Sequence, residues 1–376
     1  MTAQTPPRIA APAFADALSA ALDVAVLSPS SHNCQPWCLA RMVSAPARGA
    51  AAGLLGSTGD GHVLVLAIDR ERSLGALPAH ALEMELSCGL YWRLLQRALA
   101  AQGWTVARAR TLARGASPSG LGLPGSWEPL RVAEFRRGGD PDGTLDDLRA
   151  LARRRRTNRA PFRPDPVDPA LLAALARHRG DGLPVLVRHL RSWPERARFA
   201  RFVAEHGGRD FAHGGAWRET HSFLRWSAGA ADGFTLEHLF GPLPAYGRWA
   251  RRLALAPPAM AALSRVGYPR LLAGRLAAVV RRSPVIVLMG LPVAEPGLPD
   301  TLAAASALAD YWLDATAAGL VLHPVSIVIQ HTDLRPALQR RFGMPGRVFF
   351  AARLGRPAAA FPASPRRAPA AAFRAL

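Results

Sequence analysis

The sequence predicts an α+β protein, with antiparallel-dominated sheets flanked by helices and two related halves in one chain. Three observations carry this. An order of strand, helix, glycine and strand occurs twice. Both helices hold a Tyr-Trp pair, Tyr91-Trp92 and Tyr311-Trp312, ahead of an Ala-rich end and a glycine. And 376 residues, 49% of them hydrophobic, suffice for one large core or two modest ones.

In the first half, residues 13–27 read as an apolar, Ala-rich helix that ends before Pro29. Residues 61–68 read as a strand. Residues 78–101 read as a long helix, with Leu82, Leu86, Leu90 and Leu94 near one face, stopped by Gly103. Residues 106–112 read as a strand, and the Gly/Pro/Ser-rich stretch 115–125 as a loop. In the second half, 283–291 read as a strand and 301–318 as a helix stopped by Gly319, with a strand-like run after it. The halves are set at 1–145 and 146–376. The second carries an insertion at about 206–282, rich in Trp, Gly, Pro and Arg, with helical pieces around 216–226 and 245–255.

Composition removes several function classes. The chain contains no lysine, so all the positive charge behind its net +20 is arginine. A lysine Schiff base and a Walker A lysine are therefore excluded. Three cysteines, Cys34, Cys38 and Cys88, make no disulfide framework, and a reducing, cytoplasmic compartment is expected. The uncharged run 315–332 contains His323, Pro324 and Gln330. It reads as buried helix, turn and strand rather than a membrane span.

Two polar segments stand out. Ser28-Pro29-Ser30-Ser31-His32-Asn33-Cys34-Gln35-Pro36-Trp37 places hydroxyls and amides between two prolines. Such a loop suits a flat ligand with polar edges. Arg153-Arg154-Arg155-Arg156-Thr157-Asn158-Arg159-Ala160-Pro161-Phe162 offers guanidinium forks and a hydroxyl to a phosphate, in a shaped turn. As a plain helix-end charge run it would be a solvated face. A third segment, ending in Gly355-Arg356 and later Pro365-Arg366-Arg367, reads as an edge strand with a basic tail, or as further arginines for the same anion.

These segments resemble the nitroreductase superfamily. Arg155 to Phe162 is similar to its FMN-phosphate element, and the Ser28–Trp37 stretch to its loop beside the isoalloxazine. Gly319-Leu320-Val321-Leu322-His323-Pro324-Val325-Ser326 is similar to its segment along the flavin near N5. Fusion, length and the Ser-Pro-Arg-Arg ending resemble the Acg-like branch. The resemblance implies a fused pseudo-dimer binding one FMN, with the insertion as a lid. Ser30, Ser31, Asn33, Gln35 and Pro36 would border the ring. Arg155, Arg156, Thr157, Arg159, Arg356, Arg366 and Arg367 would hold the phosphate, and Pro324, Val325 and Ser326 would lie near the reactive face. Arg159 would also take the place of the lysine that many relatives set near N1.

The implied activity is FMN-dependent oxidoreduction by a ping-pong scheme through N5, with a small-molecule substrate and NAD(P)H as one candidate donor. Two alternatives stay open: an FMN-sequestering protein closed by its insertion, and a substrate-specific flavin oxidase or dehydrogenase of specialised metabolism. The expected state is a monomeric pseudo-dimer or a weak homodimer. No specific nucleic-acid partner, membrane or metal is expected. Gly120-Leu121-Gly122-Leu123-Pro124-Gly125 follows no strand and reads as a loop. No general acid or base is singled out. Glu83 and Glu85, two apart on a helix, do not share a face. His206, His213, His221 and His238 read as lid-packing residues.

Overall fold

Phe14–Ala25 forms the first helix, α1, and its buried residues Phe14, Ala17, Leu18, Ala21, Leu22 and Ala25 recur at helical spacing. The polar loop 28–36 follows, and the chain then enters β1 (Trp37–Met42). This computed structural model describes residues 12–117, 119–139, 143–177, 183–226 and 229–376. Helix α2 (Ala45–Leu55) starts at Ser44, whose side chain accepts from the Ala47 N–H, and stops at Gly56, which takes the left-handed conformation at φ 59°. Next come β2 (His62–Asp69), the long α3 (His80–Ala100), β3 (Trp104–Thr111) and β4 (Trp127–Arg137). These four strands are ordered β3-β4-β2-β1 in the first sheet, each neighbouring pair among them antiparallel.

The chain continues through α4 (Leu145–Arg154), α5 (Pro169–Leu175) and β5 (Leu186–Leu190). A helical excursion follows: α6 (Trp193–His206), α7 (Gly208–Ala212), α8 (Gly214–Ser222), α9 (Leu236–Phe240), α10 (Ala245–Leu255), α11 (Pro257–Ser264) and α12 (Tyr268–Arg281). Then come β6 (Val285–Leu291), α13 (Leu298–Ala317), β7 (Val321–Pro324), α14 (Leu334–Phe342) and β8 (Arg347–Gly355). The second sheet is ordered β7-β8-β6-β5, again antiparallel throughout. Taken in chain order, its four strands repeat the connectivity of the first sheet, with α13 in the place of α3. The excursion α6–α12 occupies the position that α2 alone fills in the first sheet.

Two helices join the sheets. Helices α3 and α13 pack along each other, and at Gly89 the packing leaves no room for a side chain. A Cβ added there would lie 2.5 Å from the Ala305 Cβ. Ala305 and Leu302 face this contact from α13. The Tyr-Trp pairs have parallel places. Tyr91 and Trp92 lie in the core under the first sheet, and Tyr311 and Trp312 in the core under the second. Tyr91 stacks on Trp37 at 5.0 Å, and the Tyr311 hydroxyl meets His189 Nε2 at 2.9 Å.

The chain ends by crossing back. Strand β9 (Phe373–Ala375) adds to the first sheet, parallel to β1, and the Leu376 N–H donates to the Arg41 carbonyl at 2.9 Å. The tail between β8 and β9 is therefore held at both ends. Among the described residues, no helix is long and apolar enough to cross a membrane. The run 315–332 is helix end, turn, β7 and a short 3-10 turn. The insertion is more helical than the two pieces read from sequence. Its helices bury Trp217, Leu224, Phe234, Leu236, Leu255 and Met260 in a core of their own.

The α3–α13 seam has little room to adjust. Gly89→Val is expected to destabilise the chain by about 1–3 kcal/mol through overpacking, seen as a lower midpoint in urea. Gly53→Ala, in α2 with nothing within 4 Å of an added Cβ, is expected to stabilise by up to about 1 kcal/mol.

Candidate functional site

The loop after α1 is a knot of polar bonds. His32, Asn33 and Gln35 all take left-handed backbone angles, at φ 50°, 53° and 52°. That strain needs compensation, and the side chains supply it. The Ser30 hydroxyl accepts from the Gln35 N–H at 3.0 Å. The Asn33 amide donates to the carbonyls of Gly233 at 2.8 Å and Pro365 at 3.0 Å. Gln35 donates to the Ala231 carbonyl at 2.9 Å and accepts from the Arg367 N–H at 2.9 Å. One loop of the first half thus ties down both the insertion and the C-terminal tail.

The arginine segment is placed by the second sheet. Helix α4 is capped by Thr144 and ends at Arg155. The chain then runs extended beside β7, where the Asn158 N–H donates to the Leu322 carbonyl at 2.9 Å. Asn158 is buried, with its amide donating to the Ala359 carbonyl at 2.8 Å. The alternation of an extended segment then turns Thr157 and Arg159 the other way, toward the loop.

Between loop and arginine segment lie two adjoining chambers that share Pro29, Ser30, His32, Thr157, Arg159 and Phe234. The first holds about 930 Å³ of empty space, part of it open to solvent, and is apolar on one side. Leu86 and Leu90 of α3, Leu308 and Trp312 of α13, and Phe349 and Phe350 of β8 form that wall. The second, of about 800 Å³, is lined by Arg153, Arg155, Arg156, Arg159 and Arg366.

The second chamber is short of negative charge. Arg155 is only 6% exposed, and its Nε and Nη1 have no hydrogen-bond partner among the described residues. Its Nη2 donates to the Leu27 carbonyl at 3.3 Å, and its Cζ sits 4.9 Å from the Trp312 ring centre. Burial, with Arg366 and Arg156 nearby, lowers its pKa to about 9. Arg366 donates to Asn33 Oδ1 at 3.0 Å and shares the Leu27 carbonyl at 3.4 Å, but its Nε is unpartnered. Burial lowers the pKa of Arg366 and of Arg159 to about 10. Among the described residues, no acidic group offsets any of the three. Cations held this way are costly unless an anion completes the site.

The residues singled out from sequence divide into groups. Ser30, Ser31, Thr157, Arg159, Pro324 and Ser326 line the first chamber. Asn33, Arg155, Arg156 and Arg366 line the second. Gln35, Pro36, Val325, Arg356 and Arg367 line neither. Gln35 and Arg367 spend their groups on each other, with Arg367 Nη1 donating to the Gln35 carbonyl at 3.1 Å. The Pro36 carbonyl accepts from the Asp69 N–H at 2.8 Å. Val325 is buried in the second sheet's core, and its N–H donates to the Ala351 carbonyl at 2.7 Å. Arg356 is exposed past the end of β8, beside Gly319.

Sequence reasoning missed Glu83, His32 and Phe234. Glu83 faces the first chamber, whereas Glu85 pairs with Arg114 at 2.6 Å on another side of α3. The signal was available, since Glu83, Leu86, Ser87 and Leu90 form one helical stripe. His32 lies against Phe234, with ring centres 6.2 Å apart, and burial lowers its pKa to about 3. The insertion histidines line neither chamber. Instead His213 caps α8, and His238 bonds Thr235 and the Ala363 carbonyl. Cys34 packs on Met84 at 3.7 Å, and burial raises its pKa to about 12. Among the described residues, no cluster of His, Cys, Asp and Glu is placed to hold a metal.

The paired antiparallel sheets and the helix seam they share make up a fold of the nitroreductase type. A solved structure of a "putative nitroreductase" from Anabaena variabilis ATCC 29413 has the same fold: TM-score 0.50 at 10% identity, over 91% of this chain and 88% of that one. A shorter match is the FMN-dependent nitroreductase NfnB of Mycobacterium smegmatis, solved with NADPH, at 18% identity and TM-score 0.33, covering 56% of this chain and 90% of that one. In sequence, the chain is 31% identical over 343 residues to "Probable NAD(P)H nitroreductase PigM" of Serratia sp. (strain ATCC 39006), covering 90% of this chain and 88% of PigM. The chain belongs to the nitroreductase family. No protein-family model matches it.

The uncompensated cations make the ligand-free chain sensitive to anions and pH. Inorganic phosphate is expected to raise its thermal midpoint at pH 7, where chloride at equal ionic strength does not. Arg155 has a folded pKa of about 9, below its value in the unfolded chain. From about pH 9 upward the unfolded state therefore binds more protons, and stability rises with pH through that window. Arg155→Met should weaken the phosphate response and reduce that rise in a melting series, leaving the part that Arg159 and Arg366 contribute from about pH 10.

Proposed function

We propose that the chain is an FMN-dependent oxidoreductase that binds one FMN in the paired chambers. It would pass a hydride from a nicotinamide donor to a small organic acceptor. The observation that carries this is the juxtaposition of three acid-free guanidinium groups with an aromatic-walled cavity. A flavin mononucleotide matches this layout, with a flat polar-edged ring at one end and a dianionic tail at the other.

In this reading Arg155, Arg156, Arg366 and Thr157 hold the phosphate, since guanidinium forks match its oxygens. The unpartnered Nε and Nη1 of Arg155 are the donors left free for it. Arg159 stands where both chambers meet and offers a permanent positive charge near the ring. Ser30, Ser31, Pro324 and Ser326 border the head. Asn33, Gln35 and Arg367 act as positioning residues that fix the loop and tail. Bound FMN supplies the hydride chemistry; the chain supplies orientation, a dry wall and charge. Donor and acceptor would take turns at the solvent-open side, which is the ping-pong scheme. The three free cysteines fit a reducing, cytoplasmic setting.

The two halves, 1–145 and 146–376, would together do the work of two subunits, with the insertion of about 206–282 as a cover held by Asn33 and Gln35. The repeat is unequal where it matters. Leu90, just before Tyr91, lines the first chamber. Its counterpart just before Tyr311 is Asp310, held by Arg93 at 2.8 Å and Arg97 at 3.1 Å. An ion-paired carboxylate in place of a leucine makes a poor wall for a flavin ring, which supports one site per chain.

Reconstitution is expected to give one FMN per chain, and NADPH under anaerobic conditions should bleach it. Arg155→Ala and Arg366→Ala should each weaken FMN binding by about tenfold or more, as expected for one lost charge-assisted hydrogen bond. Two FMN per chain, or unaltered affinity in both variants, would contradict the reading.

A further inference from the structure

Among the described residues, one carboxyl group lines the first chamber, and it belongs to Glu83. Its Oε1 accepts from Gln330 Nε2 at 2.9 Å, and its Oε2 lies 2.6 Å from the Ser31 hydroxyl. The Ser31 oxygen is 3.2 Å from His32 Nδ1, and His32 Nε2 is 3.0 Å from the Thr220 hydroxyl on α8. Carboxyl, hydroxyl, imidazole and hydroxyl form an unbroken chain from the cavity wall to the insertion. None of these groups is needed to hold a phosphate, and α3 could have closed its stripe with another leucine.

We propose that Glu83 is the proton-transfer group of the cavity, and that Ser31 and His32 connect it to the outside. The proposal rests on the cofactor reading above and adds the proton that a hydride alone does not bring. For a nitroarene the balance is simple. The nitro group gains a hydride, originating in the nicotinamide donor, and one proton from the Glu83 carboxyl. The resulting N,N-dihydroxy form loses water to leave a nitroso group. Glu83, now a carboxylate, regains a proton through Ser31. His32 donates from Nδ1 and is refilled at Nε2. A ring that stays neutral, as His32 does, relays in this way without storing charge.

The surroundings of Glu83 favour its protonated form. Burial raises its pKa, outweighing the Ser31 and Gln330 bonds and the nearby His80. His80 is itself engaged by Glu219 at 3.0 Å on α8, and Asp210 on α7, which pushes the Glu83 pKa up, is engaged by His331 at 3.0 Å. Arg159 and His32 complete the charged and titratable lining of the same chamber.

The test uses the FMN-loaded chain with Glu83→Gln, Glu83→Asp and Ser31→Ala. Infrared spectra at pH 7 should show a protonated-carboxyl C=O band that shifts in D2O and is missing in Glu83→Gln. With a nitroarene acceptor, Glu83→Gln should lower kcat by about 10²-fold, in the range of general acid catalysis, with FMN content and KM unchanged. The wild-type kcat should fall on the alkaline side as Glu83 ionises, and Glu83→Gln should lose that limb. Glu83→Asp should recover part of the rate, and Ser31→Ala should slow turnover while keeping the band. A chain that shows the band but takes up no FMN overturns the cofactor reading and the transfer role with it. FMN bound with no such band, or Glu83→Gln with wild-type kcat and pH profile, overturns this proposal alone.

Discussion

The site depends on cations that the protein buries without balancing. Arg155 arrives from the end of α4 and Arg366 from the tail, and both donate to one carbonyl, that of Leu27. Two guanidinium groups on one carbonyl, with no acid between them, repel each other. They stay because unrelated contacts hold each in place: the Trp312 ring over Arg155, and Asn33 against Arg366. The stability for this arrangement comes from elsewhere in the fold, from the two sheet cores and the α3–α13 seam. An anion that enters is met by donors already oriented, so little reorganisation is required on binding.

The same layout explains why loop, insertion and tail act as one unit. Asn33 and Gln35 are buried, and each bonds both the 231–233 stretch of the insertion and the 365–367 stretch of the tail. The tail cannot swing away alone, because β9 is laid into the first sheet. A residue that lines no chamber can therefore matter as much as one that does. Arg367 is the example: its guanidinium reaches the Gln35 and Ala371 carbonyls, and it holds Arg366 at the second chamber.

Much of this was legible in the amino-acid order. The repeated strand–helix–glycine–strand order, the Ser/Asn/Gln loop and the arginine segment are local patterns, and local patterns survive in sequence. Direction was harder to read. Whether Val325 or its neighbours Pro324 and Ser326 face the cavity depends on the pleat beside β8. Whether Arg356 or Arg366 reaches the anion chamber depends on where the tail crosses. Glu83 was set aside as half of an acid pair, when the helical stripe with Leu86, Ser87 and Leu90 was the better guide. Phe234 carried no local signal, because only the folding of the insertion onto the 30–35 loop brings it to the chambers.

The central claim is that the arginine chamber recognises a phosphate and the neighbouring chamber a flat ring. Titration of the ligand-free chain with FMN and with riboflavin, which lacks the phosphate, tests this most directly. The account predicts that FMN binds about 10²-fold tighter or more, the worth of two charge-assisted hydrogen bonds. Equal affinity for the two would contradict it.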